Sequence, residues 1–472
     1  MKRSYLDTGV PIAALATVPG ESALAVIRTA GPGAVELAAP LFSRPAALLS
    51  ARGLSLVHGE LVDPKNGEAV DEVLAGVFRA PAGPIGEDGV EFYCHGSPAV
   101  IRRALSLLEE AGFAPALPGE FSFRAFLRGK TDLVKVEAVQ ELVRAGNEGA
   151  RAEAFRRLEG GLSRALAASR EAIVDALTEA EARLDYAEDD DSPAGGLDPA
   201  VLRRVRDLVA GLAASYAAGR LYERGARAVV VGRPNAGKSS LFNLLIREER
   251  SIVASDPGTT RDWIESGIEL GGLPVRLIDT AGLRDTSRDA SGEVEAAGVS
   301  RSRRLADEAE AVIYVVDGVL GIASEDRAFL ESRPDSLRVW NKADDPRCEP
   351  TPLGFLRLSA ATGEGLPALA DALRALIAPR FGCSGTGRPR AEAEPSPGAT
   401  NAVTVASERQ KLLLDRAVSA LDAALSGLEA GMPLDALVLD LRDAADALGE
   451  ITGEIASEEI LEAIFSRFCL GK

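Results

Sequence analysis

The chain has 472 residues, enough for roughly three domains of ordinary size. A formal net charge of −18 excludes a protein that coats nucleic acid by bulk charge, so any RNA contact needs a local basic patch. Hydrophobic residues make up 46% but aromatics only 5%, and Ala and Leu dominate, which points to extensive helix.

Residues 1–118 read as a mixed α/β domain. Strands are expected at the apolar or alternating runs Leu24–Ile27, Leu54–Val57, Val73–Phe78 and Val90–Tyr93, with turn residues such as Asp63-Pro64-Lys65-Asn66-Gly67 between them. Ser97 to Ala111 reads as a helix, capped by Ser97 with Pro98 in its first turn. Glu91, Cys94 and His95 fall together at a strand end, but no nucleophile is linked to either of the two histidines, and composition reads His95 as a satisfied turn residue. Pro118 to Lys130 marks a boundary. Residues 119–224 then read as the first part of a helical domain: helical pattern over 131–185, an acidic solvated turn at Glu188–Pro193, and helix again from Pro199 to Glu223. Arg124, Arg128 and Lys135, or Arg151, Arg156 and Arg157, are the expected RNA contacts, with a solvated helix face as the alternative for each.

Residues 225–380 alternate strand and helix patterns, as in a mostly parallel sheet. The apolar run Ala228–Val231 leads into Gly232-Arg233-Pro234-Asn235-Ala236-Gly237-Lys238-Ser239, and Ser240–Ile246 follows with helical spacing. That is G-x-x-x-x-G-K-S between strand and helix, where backbone N–H groups and the helix N-terminus cradle phosphate. Asn235, Ala236, Gly237, Lys238, Ser239 and Ser240 are the expected nucleotide contacts, with Lys238 on the β/γ-phosphates and the Ser239 hydroxyl on Mg²⁺. Gly258-Thr259-Thr260-Arg261-Asp262 is the switch-I candidate, Thr260 giving Mg²⁺ its second hydroxyl; the preceding Ala254, Ser255, Asp256 and Pro257 are assigned to the nucleotide as well. Asp279-Thr280-Ala281-Gly282 ends the strand pattern Val275–Ile278, with a carboxylate for the Mg²⁺ shell and a Gly N–H that can sense the γ-phosphate. Asn341-Lys342-Ala343-Asp344 follows Leu337–Trp340. A carboxylate there can accept from guanine N1–H and the 2-amino group, a donor pair adenine lacks, so GTP/GDP is favoured over ATP. Ser359-Ala360 closes the base pocket. Five motifs in this order across about 130 residues make a chance match negligible.

Residues 381–401, rich in Gly, Ser, Pro and Glu, read as a linker. Helical pattern returns over Val405–Glu429, Pro433–Leu448 and Ser457–Phe468, so 402–472 reads as the second part of the helical domain, with the GTP module inserted; two separate helical domains are the alternative. The tail Arg467-Phe468-Cys469-Leu470-Gly471-Lys472 brings a lone thiol and a terminal Lys, and is expected to dock into a site. Cys94, Cys348, Cys383 and Cys469 show no C-x-x-C pair and no metal spacing, and three of them are expected to be free thiols in a reducing cytosol. Without a signal-peptide pattern or a run of 18 apolar residues, the expectation is a cytoplasmic protein with no membrane partner.

Taken together, the chain resembles the MnmE (TrmE) family of tRNA modification GTPases over essentially its whole length. The residues that carry the resemblance are Pro118-Gly119-Glu120-Phe121, Arg124-Ala125-Phe126-Leu127, Lys130, Asp132-Leu133, the phosphate loop, Gly258 to Asp262, Asp279 to Arg284 and the closing Phe-Cys-Leu-Gly-Lys, where the family has Ile at Leu470. The resemblance implies a multidomain α/β plus all-α architecture: an N-terminal folate-binding, dimerising domain and a helical domain with an inserted Ras-like P-loop domain. It implies a homodimer working with the FAD-dependent MnmG (GidA) partner, in a heterotetramer or larger assembly, to add an aminomethyl-type (carboxymethylaminomethyl) group at carbon 5 of the wobble uridine of certain tRNAs. The one-carbon unit comes from 5-formyl- or methylene-tetrahydrofolate. Folate contacts carried over are Arg28, Glu91, Lys130 and Lys472; Cys469 is assigned a role in modification. A ribosome-associated GTPase switch without nucleoside chemistry is the rival reading.

Ras-like enzymes orient the attacking water with a Gln just after D-T-A-G. Leu283 stands there and cannot. The resemblance implies a K⁺ ion held by Asn235, Thr259 and the carbonyls of Ala254 and Asp256, replacing an arginine finger, and a water-orienting Glu that matches Glu295, with Glu293 as the fallback because Thr286–Gly292 is longer than the family pattern. Arg261 is assigned to switch-I support, with a surface ion pair as the alternative.

Overall fold

A computed structural model describes residues 4–185, 197–248, 264–280, 304–381, 404–468 and 470–471. Two compact units divide the chain: Met1–Val136 with Gly449–Lys472, and Glu137–Leu448.

The first unit holds a six-stranded sheet of β1 (Ile12–Leu15), β2 (Ser22–Ala30), β3 (Ser55–Val62), β4 (Ala69–Phe78), β5 (Gly89–Gly96) and β6 (Ala114–Pro115), in the order β3-β4-β5-β2-β1-β6. Neighbours run antiparallel, apart from the parallel β1/β6 pair. Period-two alternation gives each strand a core face. Ile27, Val73, Ala75, Val77, Val90, Phe92 and Cys94 are buried there against Ile101, Ala104, Leu107 and Leu108 of the helix Pro98–Glu110. The same alternation puts Cys94 in the core and turns Glu91 and His95 to the opposite face, so the three do not form one cluster. His95 is exposed, and its Nδ1 lies 2.8 Å from Asp71 Oδ1.

The boundary stretch folds as the helix Glu120–Leu127, entered through Gly119 at φ 68°. Its Phe123 packs edge-on to Phe465 of the helix Glu458–Phe465, ring centroids 5.2 Å apart, in a cluster with Tyr5, Leu133, Val136, Leu461 and Phe468. Arg124 on that helix is wholly buried. It donates to Glu120 (2.9 Å), Glu87 (3.2 Å) and the Val10 carbonyl (2.8 Å), which removes it from the expected RNA contacts.

In the second unit β7 (Ala226–Gly232), β8 (Ile264–Leu270), β9 (Leu273–Asp279), β10 (Ala311–Asp317), β11 (Leu337–Asn341) and β12 (Leu356–Arg357) form a sheet in the order β12-β11-β10-β7-β9-β8. Only β8 runs antiparallel to its neighbour. Helices cover both faces, which is why β7 and β10 read as unbroken apolar runs. Leu241 and Leu245 of Lys238–Glu248 and Leu369, Leu373 and Ile377 of Leu366–Ile377 pack on Val230, Leu277 and Ile313. Leu330 of Ser324–Ser332 joins Val231, Val312, Val316 and Trp340 on the other face. In such a doubly wound sheet ligands bind beyond the carboxyl ends of the strands.

The helical stretch read as continuous over 131–185 is broken twice. Asn147 caps Glu148–Leu158 by accepting from Ala150 N at 2.8 Å, and Gly160 turns at φ 83° before Gly161–Asp185. The helices Pro199–Ala214 and Glu408–Glu429 are joined by an Arg206–Asp422 pair at 2.8 Å. Arg157 is only 3% exposed, donating to Glu141 and to the Thr404 carbonyl, so it too is structural and no RNA contact. Among the described residues no helix is long and apolar enough to cross a membrane.

Candidate functional site

Strand β7 ends at Gly232, with φ 146° and a bound on its size: a Cβ there would sit 2.3 Å from the Val315 carbonyl oxygen. The chain turns through Asn235 (φ 62°) and Gly237 (φ 95°), where a Cβ would meet Asn341 Nδ2 at 2.1 Å. Lys238 opens the helix; it is buried, and its Nζ donates to the Arg233 carbonyl at 2.8 Å. Ser239 and Ser240 are exposed in the first turn, beside the helix N-terminus, where the backbone dipoles favour an anion. Asn235 is exposed, and its side-chain amide makes no hydrogen bond among the described residues. Asp279, 2% exposed, stands at the carboxyl end of β9, and Thr280 next to it donates to the Val230 carbonyl at 2.8 Å, pinning the end of that strand to β7.

The base-side motif closes on the same loop. Asn341 is buried and ties two segments together, donating to the Ala236 carbonyl (2.8 Å) and accepting from Ala360 N (2.9 Å). Its amide is therefore engaged in scaffold, and the carboxylate of the motif left exposed is Asp344, oriented by the Ser359 hydroxyl at 2.5 Å. Lys342, at φ 66°, donates to Asp317 at 2.6 Å. Burial pushes the Asp317 carboxyl up, but hydrogen bonds from Lys342 and Val319 N outweigh it and hold the group below the usual carboxylate range. Asp317 was not singled out from the sequence, although it ends the apolar run Ala311–Val316.

In the first unit, Arg28 on β2 and Glu91 on β5 are register partners and pair at 2.6 Å. Tyr93 donates to the second Glu91 oxygen at 2.7 Å; burial, then that bond, pushes the phenol up to about 12. Arg28 also donates to the Gly471 carbonyl at 3.1 Å and lies 5.7 Å over the Phe121 ring. A pocket of polar and apolar wall opens here, lined by Arg28, Thr29, Phe78, Ile85, Glu87 and Glu91. Exposed Lys130 lies against Gly86 on the same loop, and Glu87 is gripped from behind by Arg124 and Arg128. Three of the four sequence-derived folate residues, Arg28, Glu91 and Lys130, thus border one loop. Glu87 was missed because its partners, Arg124 and Arg128, are distant in the chain, and Tyr93 because nothing in the strand pattern shows that its hydroxyl reaches Glu91 on the same face.

Ala254, Ser255, Asp256, Pro257, Gly258, Thr259, Thr260, Arg261, Ala281, Gly282, Glu293, Glu295, Cys469 and Lys472 lie outside the described residues.

With this geometry in hand, comparison with known proteins is specific. A family model described as the MnmE helical domain matches residues 133–469, and one described as the GTP-binding protein TrmE N-terminus matches residues 11–130. The tRNA modification GTPase MnmE of Treponema denticola is 36% identical over 489 residues, covering 100% of both chains. That of Thermus thermophilus is 41% identical over 470 residues, covering 98% of this chain and 99% of its own, and that of Moorella thermoacetica is 38% identical over 479 residues with the same coverage.

Proposed function

The chain belongs to the MnmE family of tRNA modification GTPases, and from that premise we propose that it couples K⁺-stimulated GTP hydrolysis to addition of an aminomethyl-type group at carbon 5 of the wobble uridine of certain tRNAs. It acts as a homodimer with an FAD-dependent MnmG (GidA) partner and takes its one-carbon unit from a tetrahydrofolate derivative. The observation that carries the modification half of this reading is the Arg28 hydrogen bond to Gly471, at 3.1 Å and two residues past Cys469. It supports a tail that delivers Cys469 and Lys472 toward the Arg28–Glu91 pair.

For hydrolysis, the loop amides and Lys238 bind the phosphate chain, with Lys238 exchanging the Arg233 carbonyl for β/γ-phosphate oxygens. Asp344 accepts from the guanine N1–H and 2-amino group, in the orientation Ser359 imposes. Ser239 and Thr260 would hold Mg²⁺, backed by the carboxylate of Asp279. Glu295, or Glu293 two residues before it, orients the attacking water in place of the Gln that Leu283 replaces, while Arg261 supports switch I. K⁺ would be held by Asn235, Thr259 and the carbonyls of Ala254 and Asp256, and when bound supplies a fixed positive charge beside the transferring phosphoryl group. The uncommitted Asn235 amide fits, since hard cations take neutral oxygen ligands.

The residues around the first-unit pocket carry groups that suit a folate. Its apolar wall, Phe78 and Ile85, suits a flat ring, Glu91, held by Arg28, can accept from pterin N–H donors, and Lys130 and Lys472 suit the glutamate carboxylates. A bound folate supplies the one-carbon unit.

The test is a strain whose only copy carries Cys469→Ser. The modified wobble nucleoside should vanish from its tRNA by mass spectrometry, while the purified variant hydrolyses GTP at the wild-type rate. Normal nucleosides in that strain would remove the tail from the chemistry.

A further inference from the structure

Arg233, the second residue of the phosphate loop, faces two ways. Its carbonyl accepts from Lys238 Nζ at 2.8 Å and from Ala236 N at 3.3 Å, so its backbone is part of the cradle. Its side chain leaves the cradle: Nε pairs with Asp326 Oδ2 at 2.9 Å, and Nη2 donates to the Gly321 carbonyl at 2.8 Å. Asp326 is wholly buried in the first turn of Ser324–Ser332. Besides Arg233 it accepts from Ala323 N (2.8 Å) and from the Tyr314 hydroxyl (2.9 Å). Tyr314 in turn is buried on β10 and stacked on Phe329, ring centroids 4.6 Å apart. A carboxylate fixed on three sides inside the protein is a rigid anchor, and Arg233 is the strut from it to the loop.

We propose that Asp326 is a positioning residue for the nucleotide: through Arg233 it holds the phosphate loop in its binding shape before GTP arrives. A loop already ordered pays less conformational entropy on binding. Loss of the strut therefore weakens nucleotide capture and leaves the step on bound GTP alone. The inference rests on the GTP-binding part of the functional reading and is independent of the cation and folate parts.

The experiment uses the full chain, with stopped-flow release of a fluorescent N-methylanthraniloyl-GDP and steady-state GTP hydrolysis. Arg233→Met keeps the aliphatic stem and removes the charge. It should speed GDP release and raise KM, each about tenfold, with kcat changing less than about twofold. Asp326→Asn keeps one acceptor oxygen for Ala323 N and turns an amide N–H toward the Tyr314 oxygen, which can accept it, while removing the charge that holds Arg233, so it should give the same split. The double variant should be no worse than Asp326→Asn alone, and Arg233→Lys should recover part of the loss. Unchanged release and KM in Arg233→Met would overturn the proposal, as would a fall in kcat at constant KM, or single effects that multiply in the double variant. Should Asp326→Asn fail to fold, the two Arg233 variants decide alone. A wild-type chain that failed to bind the fluorescent GDP would overturn the nucleotide cradle itself, and this proposal with it.

Discussion

Replacing Arg124 by Leu probes what holds the first unit together behind its pocket. The guanidinium is 0% exposed and sits between two carboxylates that are themselves buried, Glu120 at 2.9 Å and Glu87 at 3.2 Å, with the Val10 carbonyl at 2.8 Å. Leu fills much of the volume but answers neither charge. Glu87 keeps Arg128, which is half exposed, whereas Glu120 loses the Arg124 guanidinium and keeps the Leu117 N–H at 2.7 Å. Breaking one side of such a buried cluster costs about 3–5 kcal/mol, chiefly from the carboxylates left uncompensated. For a unit of this size that is a fall of roughly 10 °C in its melting transition. Calorimetry of the full chain, with hydrogen exchange of the Glu120–Leu127 amides to identify the transition, measures it. Adding Glu120→Leu to Arg124→Leu should recover part of the loss, because it removes a buried charge that has lost the Arg124 guanidinium. A melting point within about 2 °C of wild type, or a double variant less stable than the single, would refute the reasoning.

Asp344→Asn should cut GTP affinity about 100-fold and admit xanthosine triphosphate, whose 2-oxo group can take the new amide N–H; unchanged nucleotide preference in a competition assay would count against the base-side assignment. Glu91→Gln should weaken 5-formyltetrahydrofolate binding about tenfold by calorimetry while GDP binding stays as it was; equal folate affinity would count against the pocket. Burial pushes the Cys94 thiol up to about 11. A folded-state pKa above the ordinary 9.0 contributes stability present below that pH and lost as pH rises toward about 11. Iodoacetamide at pH 8 should therefore label Cys94 only after unfolding, and rapid labelling of the folded chain would contradict its burial.

Local pattern made much of the fold legible. The unbroken apolar run at Ala228–Val231 marks a strand covered on both faces, and β7 lies between β10 and β9, parallel to both. Strands β4 and β5 were visible through apolar residues on alternate positions. β1 was not, because Ile12-Ala13-Ala14-Leu15 has no alternation to read, and two-residue β6 is defined only by its partner. The phosphate loop was legible because its glycines are required locally, at φ values other residues rarely adopt. Charged residues were the hardest to read. Arg124 and Arg157 have the composition of a basic helix face, yet both are buried by carboxylates and carbonyls from elsewhere in the chain. Arg233 and Asp326 are 93 positions apart by their numbers, and no window of sequence joins them.

The account of turnover turns on Asn235, the exposed amide in the phosphate cradle, as a ligand to an alkali cation that makes good the missing Gln and finger. GTP hydrolysis by the wild-type chain and by Asn235→Ala, each in KCl and in NaCl at equal ionic strength, tests it most directly. Wild type should be markedly faster in KCl, and the two salts should give one slow rate for the variant. Equal wild-type rates in both salts, or a potassium advantage that survives in Asn235→Ala, would contradict it.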